Sequence, residues 1–254
     1  MAIATFANNT SSGTGTVSGG GTFTVTKPTG CANGDVVWIF AGTSDSPVPF
    51  SSPDLTQLYA VDETGTDSAL WVARRVIAGD GATWTVTSTN TKVYAYVCVA
   101  LRGVDNTTPE GATVCASAAS SASQVCGPIT VTNAGAWILA AAECDTATPG
   151  PVYTGPGGAF VLDVTIAEGT AFNGIGVGHE DLAGATGSTS RTLTSSIADV
   201  YVSALLEINP AATGTPQKVR PDADTAVGTW ATAPLWSKVD EASAGGDVIT
   251  DTAA

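Results

Sequence analysis

The sequence predicts an all-β protein, an antiparallel β-sandwich of jelly-roll type followed by an extended C-terminal arm. Three observations favour this class. Short segments alternate between Thr and apolar side chains, and turn residues are abundant, with 29 Gly and 13 Pro in 254 residues. No amphipathic helical stripe of useful length precedes residue 210. The hydrophobic fraction of 43% is sufficient to form a buried core.

Two kinds of strand are predicted along the chain. Thr22–Thr26 and Thr83–Thr87 alternate between Thr and apolar residues, which is typical of half-buried strands. Three segments are continuously apolar and favour central strands that are covered on both faces: Val36–Ala41, Val93–Leu101 and Trp137–Ala142. Gly, Pro, Asn and Asp separate the strands and predict turns between them.

The chain contains an internal repeat, in which Thr85–Tyr94 aligns with Thr192–Tyr201 through five identical residues. The repeat divides a predicted sandwich domain, residues 1–210, into similar halves at about 20–105 and 126–210. Two tandem small sandwiches and one large sandwich are both compatible with it. The long apolar strands need cover on two faces and favour one large sandwich.

Two segments have the composition of connectors. Residues 106–124 are rich in Ala, Ser and Thr, which suits a linker or a crossing loop between the halves. Residues 211–254 begin with a Pro- and Thr-containing linker and continue as an arm that is too short to bury its own Trp side chains. We expect this arm to contact another subunit through Trp230, Leu235, Trp236 and Val239.

The charge balance excludes several function classes. Nine basic residues stand against 23 acidic ones, for a net charge of −14, and only 13% of residues are charged. This leaves no basic stripe for nucleic acid, and no apolar run reaches the roughly 18 residues of a membrane helix. Met1–Thr10 lacks the features of a secretory signal, so nothing indicates general export. We expect the negative charge to lie mostly in loops and on outward faces.

The five cysteines are interpreted as reduced residues of the core. Their number is odd and no C-x-x-C pair occurs, a pattern that favours reduced thiols. A bridge between Cys115 and Cys126, which flank a Ser- and Ala-rich stretch, is the alternative.

Few residues could support catalysis or metal binding. His179 is the only histidine, and it lacks the further ligands of a Zn²⁺ site or the Ser partner of a hydrolytic triad. We predict a structural histidine at a strand end, exposed or capped. Asp62, Glu63 and Asp67 are interpreted as solvated charges, with a Ca²⁺ site as the alternative. The sequence predicts no enzymatic activity, metal or cofactor.

The tryptophans of the strands have two interpretations. Aromatic rings commonly fill the core of a sandwich. Exposed rings of Trp71 and Trp84 would instead form a platform on which sugar rings stack.

A family resemblance rests on the segments Gly34–Phe40, Trp71–Ile77, Trp84–Thr87 and Val99–Pro109, of which Leu101–Asp105 with the following Pro109 is the most specific. This series resembles a β-sandwich module that is common in tail-associated and other virion proteins of tailed bacteriophages. It extends over about 200 residues of the chain.

The C-terminal segment Arg220–Glu241 resembles the opening of a second phage module, but the segment stops where that module would continue for a full domain. The resemblance implies a non-enzymatic virion structural protein: a capsid decoration, fibre or tail-associated subunit assembled in the bacterial cytoplasm. Its partners would be copies of itself or other virion proteins, without nucleic acid or membrane insertion. A carbohydrate-binding surface module on a phage or bacterium is the alternative function.

Overall fold

The prediction of an all-β protein with antiparallel sheets is confirmed by a computed structural model. The described residues form 14 β-strands and no helix, so none of them crosses a membrane as a helix. All pairings between these strands are antiparallel. The structure describes residues 2–5, 8–44, 47–63, 68–145, 150–167 and 173–212.

The strands divide along the chain into two series. The first series consists of β1 (Thr10–Val17), β2 (Thr22–Thr26), β3 (Val36–Thr43), β4 (Phe50–Ser51), β5 (Thr56–Asp62), β6 (Ala69–Val76), β7 (Thr83–Ser88) and β8 (Lys92–Leu101). The second consists of β9 (Glu110–Val131), β10 (Trp137–Asp145), β11 (Tyr153–Thr154), β12 (Val161–Ala167), β13 (Asn173–Asp181) and β14 (Gly187–Ile208).

The first series forms two sheets, one of five strands in the order β1-β8-β3-β6-β5 and one of three strands in the order β2-β7-β4. In the second series, β9 and β14 are each 22 residues long and pair in two stretches separated by irregular register. One stretch pairs residues 110–118 with 201–208 beside β10, β13 and β12. The other pairs residues 123–131 with 187–194, next to β11.

When β9 and β14 are divided at this irregularity, the strand order of the second series matches that of the first. Residues 110–118 take the place of β1 and residues 201–208 that of β8, and β10, β13 and β12 take the places of β3, β6 and β5. The matching series begin at Thr10 and Glu110, upstream of the predicted boundaries. Residues 110–124, expected to belong to a connector, are instead part of β9. The sequence hides this because β1 and the start of β9 are rich in small polar residues and lack apolar alternation. The jelly-roll assignment stays a prediction.

Three hydrophobic clusters fill the spaces between the sheets. In the second series, residues 110–118 of β9, residues 201–208 of β14, β10, β13 and β12 are here called the second five-stranded sheet. The central cluster joins the two five-stranded sheets through side chains such as Trp38, Phe40, Leu139 and Leu206. The other two clusters lie between each five-stranded sheet and its own smaller set of strands. Val36–Ala41 is fully buried on both faces, as predicted for a central strand. Each five-stranded sheet is therefore covered on both sides, and the strands form four layers.

The two five-stranded sheets stack in a reciprocal way. β1 lies against β12, and β5 lies against β9, which occupies the place of β1 in the second series. β8 likewise lies against β13, and β6 against β14. Each contact between the two sheets is thus matched by a second contact between the equivalent strands, with the two sheets interchanged. The packing therefore resembles a two-fold symmetric contact formed within one chain.

Candidate functional site

Trp71 and Trp84 are core residues, which confirms the first of the two interpretations, and the alternative of a glycan platform at these positions is not realised. The exposed fractions of their side chains are 0% and 3%. The indole N–H of Trp71 donates to Gln57 Oε1 at 3.0 Å, and that of Trp84 lies 3.4 Å from Asp80 Oδ1. Stacking on a sugar requires an exposed ring face, and the cluster between β3, β6, β8 and the smaller sheet covers both rings.

The predicted interface residues of the arm, Trp230, Leu235, Trp236 and Val239, lie outside the described residues. Their role in a subunit contact stays a prediction.

All five cysteines are free thiols, so the alternative of a bridge between Cys115 and Cys126 is not realised. The two residues lie in different stretches of β9, Cys115 opposite Ala204 and Cys126 opposite Arg191. Burial raises the pKa of each of these two thiols to about 12. Both therefore stay protonated and unreactive near neutral pH.

His179 is buried within a structural cluster, not exposed at a strand end. Its Nδ1 lies 2.8 Å from Asp163 Oδ2, and its ring stacks on Trp137 with centroids 5.1 Å apart. Asp163 occupies the bulge of β12 between Leu162 and Val164. The contact thus fixes the irregular edge strand β12 to β13, a structural role.

Asp62 and Glu63, expected as solvated charges or as ligands of a Ca²⁺ site, differ in their surroundings. Asp62 Oδ1 accepts the backbone N–H of Val48 at 2.6 Å, and Glu63 is buried. Asp67 lies outside the described residues. Within the described ranges, no group of three or more His, Cys, Asp or Glu side chains is placed to hold a metal ion.

Several carboxylates are buried and are exceptions to the expectation that the negative charge lies mostly in loops and on outward faces. Asp35, Glu143 and Glu207 are at most 2% exposed. Arg102 donates from Nε and Nη2 to the two oxygens of Asp35 at 2.8 and 2.7 Å. Glu207 Oε2 accepts the backbone N–H of Ala112 at 2.8 Å. Asp35 and Glu207 thus hold a turn and strand ends together inside the fold.

An open cleft lies where β10 begins and β14 ends. Its volume is about 580 Å³, and its walls include Ile3, Trp137, Asp181, Ala183 and Pro210. Trp137 is half-buried, and His179 covers one face of its ring. An apolar wall next to a carboxylate is suited to a small ligand that combines an apolar face with hydrogen-bond donors.

Trp137 differs from the other described tryptophans in its indole N–H. Trp38, Trp71 and Trp84 each direct this group at a side-chain oxygen, of Glu110, Gln57 and Asp80 respectively. The indole N–H of Trp137 makes no hydrogen bond to the protein among the described residues. Asp181 uses Oδ1 to accept the backbone N–H of Ala183 at 2.8 Å. The cleft thus combines an available donor with a carboxylate.

Sequence reasoning assigned no special role to Trp137, Glu143 or Glu207. For the two glutamates a signal was present, since each directly follows an apolar run, Trp137–Ala142 for Glu143 and Ala204–Leu206 for Glu207. Such a residue must be paired, hydrogen-bonded or neutralised. Trp137 has no comparable signal, because its difference from the other tryptophans depends on its position at the end of a sheet. No family model, curated protein or solved structure matches the chain.

Proposed function

We propose that the chain is a non-enzymatic structural protein of a tailed-bacteriophage virion, a capsid decoration, fibre or tail-associated subunit. It assembles with copies of itself or with other virion proteins through its β-sandwich and through residues 211–254. The virion assignment is supported only by the resemblance of Leu101–Asp105 and Pro109 to a phage β-sandwich module. The observation that carries the assembly function is a pair of unguarded sheet edges.

The first unguarded edge is β1, the outermost strand of its sheet. Its eight residues, Thr10–Val17, contain no charged residue and no Pro. Its register with β8 is continuous, from Thr10 opposite Val99 to Val17 opposite Lys92. Among the described residues, no strand pairs with its outer side. A flat, uncharged edge presents free backbone N–H and C=O groups to which another chain can add a strand.

The equivalent edge of the second sheet is residues 110–118 of β9. Its single charged side chain, Glu110, is paired with Arg74. The remaining residues of this stretch are Gly, Ala, Thr, Val, Cys and Ser. Its register with β14 shifts between Thr113 and Glu110, so this edge is related to β1 but less regular.

The opposite edges of both sheets are guarded. β5 contains a bulge between Gln57 and Tyr59, and β12 contains one between Leu162 and Val164. Each of these strands also carries a carboxylate, Asp62 in β5 and Asp163 in β12. Bulges and charges prevent edge-to-edge pairing. The contrast is clear in the first sheet, where β1 has a continuous register and no charge, and it supports a role for β1 in association.

A charge placed on the unguarded edge tests this proposal. Thr14 is exposed on β1, and Val161 is 50% exposed on the guarded edge β12. We expect the full-length chain to form oligomers in light scattering over a concentration series, Thr14→Lys to reduce them, and Val161→Lys to leave them unchanged. A wild-type chain that stays monomeric, or equal effects of both substitutions, would refute association through β1.

Truncation tests the arm separately. Residues 1–213 form a compact unit, so a chain ending at Ala212 keeps all the described strands. We expect this truncation to lower the assembly state that light scattering measures. Unchanged assembly would show that residues 213–254 are not required for it.

Carbohydrate binding is the second candidate function, and the cleft at Trp137 is the observation that favours it. An indole face whose N–H has no partner among the described residues, next to a carboxylate, can stack on a sugar ring and bind its hydroxyl groups. A glycan array with wild-type protein, Trp137→Ala and, as the buried control, Trp71→Phe distinguishes the two functions. A glycan signal lost only in Trp137→Ala would favour the binding module.

A further inference from the structure

Glu143 is a buried carboxylate whose oxygens have no hydrogen-bond partner among the described residues. It lies near the end of β10, opposite Ile175 on β13 and Val202 on β14. Its side chain is fully buried, and neither Oε1 nor Oε2 has a hydrogen-bond partner. An isolated carboxylate in such an environment costs several kcal/mol unless it is neutralised.

Glu207 shows how this fold otherwise treats a buried glutamate. It is also fully buried, and it lies one strand away on β14. Its oxygens accept the backbone N–H groups of Ala112, Thr132 and Asn133 at 2.8 to 3.0 Å. Glu143 has none of these donors, so its burial needs a different explanation.

A second polar side chain with the same property lies beside Glu143. Asn173 on β13 is fully buried, and neither its Oδ1 nor its Nδ2 has a hydrogen-bond partner. Asn173 lies opposite Asp145 in the sheet, while Glu143 precedes Asp145 by two residues, so the three positions share one face. That face packs on the other five-stranded sheet.

The two side chains converge on Gly42 of β3, across the central cluster. A Cβ atom at Gly42 would lie 3.0 Å from Asn173 Oδ1 and would overlap Glu143 Cγ. The absence of a side chain at this position leaves room for the carboxylate and the amide between the sheets. The fold thus brings two oxygen-bearing groups to one buried place.

The charged groups that act on Glu143 are negative. Burial, and then the carboxylates of Asp145 and Asp199, hold its pKa well above the usual range. No cation contributes to this environment among the described groups. A positive species is therefore needed if Glu143 is to be ionised at this position.

We propose that Glu143 and Asn173 form a binding site for a small divalent cation of the Ca²⁺ class, with Asp145 at its rim. A bidentate carboxylate and an amide oxygen are typical Ca²⁺ ligands, and Ca²⁺ accepts the irregular geometry that two sheets provide. Mg²⁺ fits less well, because it demands near-ideal octahedral coordination and keeps several waters. The cation would connect β10 and β13 beneath β3. This site is independent of the assembly proposed above.

Calcium titration of the full-length chain, stripped of metal with a chelator, tests the site. We expect isothermal titration calorimetry to detect one Ca²⁺ per chain, and the thermal midpoint to rise in about 5 mM Ca²⁺, a concentration above the dissociation constants of weak protein sites. Glu143→Gln should weaken binding about 100-fold and Asn173→Ala about 10-fold. Glu207→Gln is the matched control, a buried glutamate whose replacement should leave the Ca²⁺ response in place.

The stability of the variants without metal provides a second readout. Glu143→Gln removes an unsatisfied buried charge, so without metal it should be at least as stable as the wild type, and Ca²⁺ should no longer raise its midpoint. A wild-type chain that does not respond to Ca²⁺, or variants that bind it as tightly as the wild type, would overturn the proposal. No response to Ca²⁺, with stability rising as the pH falls from about 8 to 5, would instead identify a proton as the neutralising species.

Discussion

Replacing Glu207 by Gln disturbs a buried carboxylate that gathers four N–H donors. Oε2 accepts the backbone N–H of Ala112 at 2.8 Å. Oε1 accepts the backbone N–H groups of Thr132 and Asn133 at 3.0 and 2.9 Å and lies 3.3 Å from Asn133 Nδ2. These contacts join the start and the end of β9 to β14. The amide of Gln keeps one acceptor oxygen and directs N–H groups at the remaining donors.

The expected loss of stability follows from these contacts. One buried donor is left without an acceptor, which costs about 1–3 kcal/mol, and the remaining bonds lose the assistance of the negative charge. We therefore expect Glu207→Gln to lower the free energy of unfolding by about 3 kcal/mol.

Urea denaturation followed by tryptophan fluorescence measures this loss. Glu180→Gln is the control, because Glu180 pairs with Arg191 at 2.5 Å at a partly exposed position, where we expect a loss of at most about 1 kcal/mol. A loss below about 0.5 kcal/mol for Glu207→Gln would refute the idea that this carboxylate fastens β9 to β14.

Three further predictions concern other parts of the core. Gly42→Ala should lower the free energy of unfolding by about 1–3 kcal/mol in urea melts, because its Cβ would overlap Glu143 Cγ. The control, Gly81→Ala, has open space around the added atom and should not change the free energy of unfolding. Equal effects of the two substitutions would contradict this prediction. A thiol reagent at about pH 8 should spare Cys98, whose pKa burial raises to about 12, until urea unfolds the chain; rapid native labelling would contradict its burial. Burial alone would raise the pKa of Asp80, but hydrogen bonds from Ala78 N–H, Trp84 and Arg75 hold it below its usual value. The stability that Asp80 contributes is therefore present near neutral pH and lost as the pH falls through this lowered pKa. Asp80→Asn should lower the free energy of unfolding by about 1 kcal/mol at pH 7 and by less in acid. A loss of stability that does not depend on pH would contradict this prediction.

The elements that were predicted well are those whose side chains alternate or are continuously apolar. Thr22–Thr26 and Val36–Ala41 both lie in strands, because side-chain burial in a sheet follows the period of two that the sequence shows. The start of β9 was not recognised, since Ala, Ser and Thr have no strong strand pattern and resemble a connector. Its strand character comes from pairing with β14, a long-range contact that local composition does not encode.

The candidate sites were less predictable than the strands. Trp71 and Trp84 carry the same side chain as Trp137, yet only Trp137 lines an open cleft. Which tryptophan borders solvent depends on the stacking of the sheets, and that stacking joins distant parts of the chain, such as Gly42 and Glu143. Glu143 could have been noticed as a carboxylate in an apolar strand, but its neighbour Asn173 becomes apparent only from the register of β10 with β13.

The central cluster joins two sheets that belong to the same polypeptide. Two separate chains that packed in this way would come apart on dilution, since their association would depend on protein concentration. A covalent connection makes the same contact intramolecular, so its strength is independent of how many copies are present. The halves are also free to diverge across the shared face, with Gly42 on one sheet and Glu143 on the other. A site that needs different residues on its two sides can thus form once between the two halves. In a symmetric pair of identical chains, the same site would have to form twice or not at all.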